Sequence, residues 1–303
     1  MQKASDDTLW GRLALGIKRN PLVVAASVCL LEQQCRSVRS FAFVASTGRS
    51  GTTTLARLFE GISSCVACHE PYPAMKSDFA TDSADDISLQ KKRFEKVKRV
   101  HVLRAASGLD FYLETNHQFV KNFADPALAY FGDRMRVIHL RRDPISVASS
   151  FYAIGSVPGK TELGSRYLID PHRSDNVLPI GDVLDSDPRF ADDLYRCLWY
   201  WYEMEARIVR LRENYADLAM IHLVTDDLNC PEKISELLRF LDLDHLADEI
   251  LPRVGLRTNQ KKDEKQRSIE CEQACQMDRQ LQELLSSRFD SRYIQSLPEN
   301  IGS

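Results

Sequence analysis

Along this chain, short and wholly apolar runs alternate with longer stretches in which apolar residues recur every three or four positions. Phe41 to Ala45 is a run of the first kind and ends at a Gly/Ser/Thr turn, which predicts a strand buried on both faces. Leu55, Leu58 and Phe59 follow at helical spacing, so a helix is expected just after Gly51. The same alternation continues. Cys65 to Cys68 predicts a second strand, Ile87 to Arg99 a charged helix, Asp110 to Glu114 a third strand and Phe119 to Phe131 a helix. Val137, Ile138 and Leu140 mark another strand, leading into a helix that Asp143 caps and Pro144 opens. Arg189 to Asn214 predicts a long helix, Ala219 to Val224 a late strand and Asp263 to Arg288 a polar C-terminal helix. Strands alternating with helices predict an α/β fold, a parallel sheet flanked by helices on both faces.

Two stretches break this rhythm. Gly155 to Pro188 carries several Gly, Pro, Asp and Ser residues without a clear period. So long an irregular insertion in a compact domain is expected to be a lid, a binding loop or a disordered segment. Near the start, Lys18-Arg19 precedes an apolar run from Pro21 to Leu31. It is shorter than the roughly 20 residues that span a bilayer, and no small-residue cleavage site follows it. Residues 1–38 therefore read as a helical extension packed on the domain, without stable membrane insertion.

With 303 residues and no linker, repeat or low-complexity tract, the chain reads as one domain over 1–303. A net charge of −3 argues against wholesale nucleic-acid binding. The eight cysteines lack the spacing of a disulfide scaffold and read as reduced thiols of a cytoplasmic protein. Cys65-Val66-Ala67-Cys68-His69 satisfies the haem-attachment pattern, yet it falls on a predicted sheet strand between the cradle helix and Glu70, which argues against haem. Cys271 and Cys275 supply half a zinc site at most, and no metal is expected. The basic run Lys91 to Arg99 reads as a solvated helix face.

Chemistry concentrates in the first strand–turn–helix. A small-residue turn before a helix presents backbone N–H groups and the positive end of the helix dipole to an anion. The turn is P-loop-like, but Thr52 stands where a nucleotide P-loop carries its lysine, and the positive charge lies upstream at Arg49. Thr52 and Thr53 still offer hydroxyls. After the strand ending near Leu140, Arg142 leaves the strand end and Ser150 lies two turns into the next helix. Both can converge on a further phosphate at the carboxyl edge of the sheet, where open α/β folds bind ligands.

Gly48-Arg49-Ser50-Gly51-Thr52-Thr53 resembles the 5′-phosphosulfate loop of PAPS-dependent sulfotransferases, and Arg142 with Ser150 resembles their 3′-phosphate motif. Val224 to Leu228 and Pro231 to Leu243 are similar to the late strand, turn and helix of the same family. The likeness runs in one order over roughly residues 40 to 245. It implies a sulfotransferase fold, PAPS as donor, PAP as product and a metal-free transfer of a sulfuryl group to an acceptor hydroxyl or amine. The acceptor class it suggests is a glycan, glycolipid or small metabolite.

For the general base, Glu70 is the first choice. It is followed by Pro71, at the separation from Arg49 seen in carbohydrate and tyrosyl-protein sulfotransferases. His117 is the other candidate, similar in place to the base of cytosolic small-molecule enzymes, although Asn116 replaces part of their Lys-Thr-His run. Arg257 lies where related enzymes bring a basic loop over the 3′-phosphate, within the expected C-terminal loop and helix of residues 255–303. Two other readings stay open: a P-loop kinase or NTPase with an altered loop, and a PAP-binding protein without catalysis.

Overall fold

The computed structural model describes residues 21–76, 87–255 and 270–294. Its centre is a five-stranded, all-parallel sheet: β1 (Ser40–Ala45), β2 (Cys65–His69), β3 (Phe111–Thr115), β4 (Met135–Arg141) and β5 (Met220–Val224), in the order β2-β3-β1-β4-β5. Every strand is short and its connection runs through helix, as parallel pairing requires. The chain leaves β1 towards β2 on one side and leaves β4 towards β5 on the other. The crevice between the ends of β1 and β4 is therefore the topological switch point of the sheet.

Alternation of side chains along the strands divides the core in two. Phe41, Phe43, Tyr112 and Val137 face one layer. It is formed by α1 (Pro21–Gln34), by Phe94 just after α3 (Ile87–Arg93), by α4 (Arg99–Ala106), and by α5 (Ala124–Phe131). Val44, Leu113, Ile138 and Leu140 face the other, against Leu55 and Leu58 of α2 (Thr52–Leu58) and Leu237 of α10 (Pro231–Phe240). A third core lies beside the sheet. There α6 (Pro144–Ala153), the long α9 (Asp193–Asn214) and α12 (Cys271–Arg288) meet; the one-turn α11 (Ala247–Ile250) precedes α12. Trp199 and Trp201 belong to this core, and their indole N–H groups donate to Leu178 O and Arg142 O, both at 2.8 Å.

Several expectations need correction. Residues 155–188 are not irregular throughout: they hold α7 (Glu162–Tyr167) and α8 (Gly181–Ser186), and Val157, Ile169, Leu178 and Ile180 are buried in the third core. Helices this short carry too few turns to display a period. Buried Glu203 of α9 pins the segment by accepting the backbone N–H groups of Val177 and Leu178. The basic helix does not stop at Arg99; a π-helical stretch, Phe94–Lys98, joins it to α4. Nor is that face wholly solvated, because Lys98 is buried against Glu114 at 2.6 Å. The first turn expected of the helix over 119–131 is likewise π-helical, Phe119–Phe123. Residues 1–20 and the start of the C-terminal helix, 263–269, lie outside the described residues. Among the described residues, no helix is long and apolar enough to cross a membrane.

Candidate active site

The loop after β1 is built around unusual backbone. Gly48, Arg49 and Gly51 all have positive φ, at 81°, 60° and 90°. Glycine adopts that region freely, whereas Arg49 does so at a steric cost that its surroundings must hold in place. They do. Ser46 Oγ accepts from Gly48 N, and the hydroxyls of Thr47 and Ser50 lie 3.0 Å apart and both reach Gly48 O. From outside the loop, Tyr200 OH donates to Thr47 O at 2.9 Å and Thr225 Oγ1 to Ser50 O at 3.1 Å. Gly51 caps α2 without a side-chain acceptor, leaving the helix's first N–H groups to whatever enters the crevice.

Arg49 reaches across the switch point. Its Nε donates to Ser150 Oγ at 2.7 Å, and Arg142 Nη1 donates to Arg49 O at 3.0 Å. Among the described residues neither arginine has a carboxylate partner. Burial, and then the neighbouring Arg142 charge, lower the pKa of Arg49. Two like charges held together and partly desolvated are a standing attraction for an anion. Arg142 does not pair with Asp143, whose carboxylate caps α6 through Ser146 N at 2.7 Å. Arg141 turns the other way, to Glu205 at 3.4 Å and the face of Trp201.

Opposite the arginines stand the two candidate bases, in direct contact. His117 Nδ1 and Glu70 Oε1 are 2.8 Å apart. The hydrogen bond from His117 is the largest cause holding the Glu70 carboxyl down to about 2, against the opposing effect of burial. His117 itself is pushed down to about 4, first by burial and then by the Lys121 charge. At neutral pH the pair is accordingly a carboxylate accepting a proton-bearing Nδ1 from a neutral imidazole. The far ring nitrogen is also engaged, with Gln118 Nε2 at 2.9 Å from His117 Nε2 and donating at the same distance to Tyr167 O. Lys76 Nζ stands 3.8 Å from the second carboxylate oxygen of Glu70.

These groups surround one cavity of about 390 Å³. Gly48, Arg49, Gly51, Thr52, Thr53, Glu70, His117 and Arg142 all line it, so residues far apart in the chain are brought to one place. Ser150 reaches it through Arg49. Ser50 does not line it: its side chain is buried and spent on holding the loop. Arg257 lies outside the described residues.

Sequence reasoning missed His69, Gln118 and Tyr167. His69 bridges Thr53 Oγ1 at 3.3 Å and Thr115 Oγ1 at 3.0 Å, locking α2 to the ends of β2 and β3. His69 and Thr115 are register partners at the carboxyl edge, each the residue just after a predicted strand, so nominating the position that follows every predicted strand would have found both. Gln118 follows His117 directly. Tyr167 sits in the segment expected to be irregular, where no local signal marks it.

No protein-family model and no curated protein matches the chain. Among solved structures it is similar to a sulfotransferase domain from the curacin biosynthetic pathway. The identity is 15%, over 68% of this chain and 75% of that one, with a TM-score of 0.42. A likeness of that degree carries no weight for activity, which has to be argued from the residues of the cavity.

Proposed function

We propose that the protein is a PAPS-dependent sulfotransferase. The observation that carries this reading is the Arg49–Arg142 pair at the switch point. Arg49 within a glycine-rich loop and Arg142 beside it have no carboxylate partner among the described residues, and the loop has Thr52 in place of the P-loop lysine. A donor with anionic groups at both ends of a nucleoside suits that arrangement. The loop from Gly48 to Thr53 would take the 5′-phosphosulfate, and Arg142 with Ser150 the 3′-phosphate. Arg49, which touches Ser150, would couple the two ends.

In the transfer step the acceptor oxygen forms a bond to sulfur as the bond from sulfur to the phosphate-bridging oxygen breaks. PAP leaves with that electron pair. Such transfers depend mainly on positioning and on stabilising charge on the leaving and equatorial oxygens, work that falls to Arg49 and the loop. Glu70 takes the hydroxyl proton. His117 is unsuited because both its ring nitrogens are hydrogen-bonded, whereas Glu70 lines the cavity and its second carboxylate oxygen stands at the longer distance of 3.8 Å from Lys76. A carboxylate at about 2 is a weak base, so it orients the hydroxyl first and receives the proton late.

Calorimetric titration tests the reading. The expected result is binding of PAP in EDTA, weakened by Arg49→Ala and by Arg142→Ala. Binding of magnesium-ATP alone would overturn it in favour of a kinase-type loop.

A further inference from the structure

The cavity has two unlike sides. Around Arg49, Arg142 and the threonines of α2 it is cationic and polar. Beyond Glu70 it is walled by Phe151, Ile154, Leu163 and Tyr167, contributed by the end of α6 and by α7. Ile154 is 42% exposed and Leu163 40% exposed. Single exposed aliphatic residues are ordinary, but these two come from different elements and converge on the mouth of a charged cradle.

Among the described residues most polar side chains on this side have partners already, Ser156 beside Ile154 being the exception. His69 is held by Thr53 and Thr115, His117 by Glu70 and Gln118, and the Tyr167 hydroxyl by Lys76 at 3.1 Å. Behind the wall, Asn116, Gln118 and Asn122 spend their amides on Ala74 O, Tyr167 O and Met75 O. A sugar ring would bring hydroxyls on every edge into a pocket with few free partners, and each buried without one is costly. A molecule with a single hydroxyl needs one acceptor, and Glu70 is placed to be it.

Resting on the sulfuryl-transfer reading above, we infer that the acceptor carries its hydroxyl on an apolar body, aryl or alkyl, seated between Ile154, Leu163 and Tyr167. The resemblance of Glu70-Pro71 to carbohydrate-type enzymes then concerns the base and not the acceptor's frame. The hydroxyl oxygen forms the new bond to sulfur, its proton passes to Glu70, and PAP departs with the electrons of the broken bond. Leu163 and Ile154 set specificity without touching the reacting atoms.

The test pairs PAP calorimetry with transfer of radiolabelled sulfate from PAPS to four probes: 2-naphthol, 1-dodecanol, N-acetylglucosamine and maltotriose. Wild-type protein, Leu163→Asp and Ile154→Asp are compared; both side chains are exposed enough for the variants to fold. The expected kcat/KM for the naphthol or the dodecanol exceeds that for either sugar by at least about tenfold. Each variant raises the KM for that alcohol by about tenfold, with kcat and PAP affinity little changed. Sugars sulfated as well as the alcohols, PAP binding without transfer to either alcohol, or a KM indifferent to both substitutions would overturn the acceptor class and leave the donor site standing. Failure of the wild-type protein to bind PAP would remove the donor reading itself, and the acceptor inference with it.

Discussion

His117 donates to Glu70 across 2.8 Å, and this contact joins the end of β3 to the turn after β2. The two residues that compete as bases in the sequence are therefore partners. The imidazole keeps the carboxylate ionised and fixes where its second oxygen points. Glu70 itself has a positive φ of 45°, unusual for a side chain of its size, so the turn is held rather than relaxed.

Replacing His117 by Phe reports on that partnership through pH. In the native protein Glu70 titrates at about 2, so it contributes no fall in rate across the neutral and mildly acidic range. The variant loses the largest cause of the lowering while burial, which raises the pKa, remains. The carboxyl then titrates higher than in the native protein, although His69 and Lys76 still lower it, and the rate falls as pH drops through its new position. Folding follows the same sign. The depressed pKa of Glu70 contributes stability that is present above pH 4.5 and lost as pH falls towards 2, and the variant lacks this contribution. A kcat/KM profile from pH 4 to 9 with no new acid limb in the variant would count against the arrangement.

Arg49 and Arg142 are expected to act as one unit. Each Arg→Ala change removes charge-assisted hydrogen bonds worth roughly 1.5–3 kcal/mol to a bound anion. Because Arg142 holds the Arg49 carbonyl and Arg49 holds Ser150, the double variant should lose less than the sum of the singles. PAP affinities for the full cycle measure the difference. Strict additivity would mean that the two arginines serve separate sites.

Lys98 and Glu114, both buried, brace the turn that carries Glu70. They pair at 2.6 Å, and Lys98 Nζ also donates to Pro71 O at 3.3 Å, next to Glu70. Lys98→Met alone should cost about 3–5 kcal/mol by stranding Glu114, and the double change Lys98→Met with Glu114→Leu should cost less. Tyr112 and Asn116, which donate to Glu114, limit how far the double variant recovers. Denaturant unfolding of the three proteins decides the order.

Gly48→Ala should impair the site more than the fold. At a φ of 81° an added Cβ strains the backbone, at about 1–2 kcal/mol. That Cβ would also sit 3.4 Å from His117 Cγ, pressing on the ring that orients Glu70. The expected outcome is a small loss of thermal stability with a disproportionate loss of kcat. Equal losses in both would place Gly48 outside the catalytic geometry.

Local patterns carried most of the fold. A strand buried on both faces favours a continuous apolar run, so β1 is written in the residues themselves, and β4 shows itself in Val137, Ile138 and Leu140. Dipole, glycine and arginine likewise mark the loop at Gly48 to Thr53 as a candidate anion cradle from local residues alone. The π-helical joints at Phe94–Lys98 and Phe119–Phe123 were not legible, because they change a hydrogen-bond register and not a hydrophobic period. The helices inside 155–188 were too short to show one.

The order of the strands lies on the other side of that line. Nothing local says that β1 and β4 are neighbours, yet that adjacency is what brings Arg142 to Arg49. Nor can spacing along the chain show that His117 meets Glu70, or that Leu163 and Tyr167 close the cavity. Those contacts depend on distances between elements, which are set by how the two faces of the sheet and the third core pack. The chain's own patterns name the candidate loop and its arginines; packing brings Glu70 to His117 and sets Leu163 and Tyr167 beside them in one cavity.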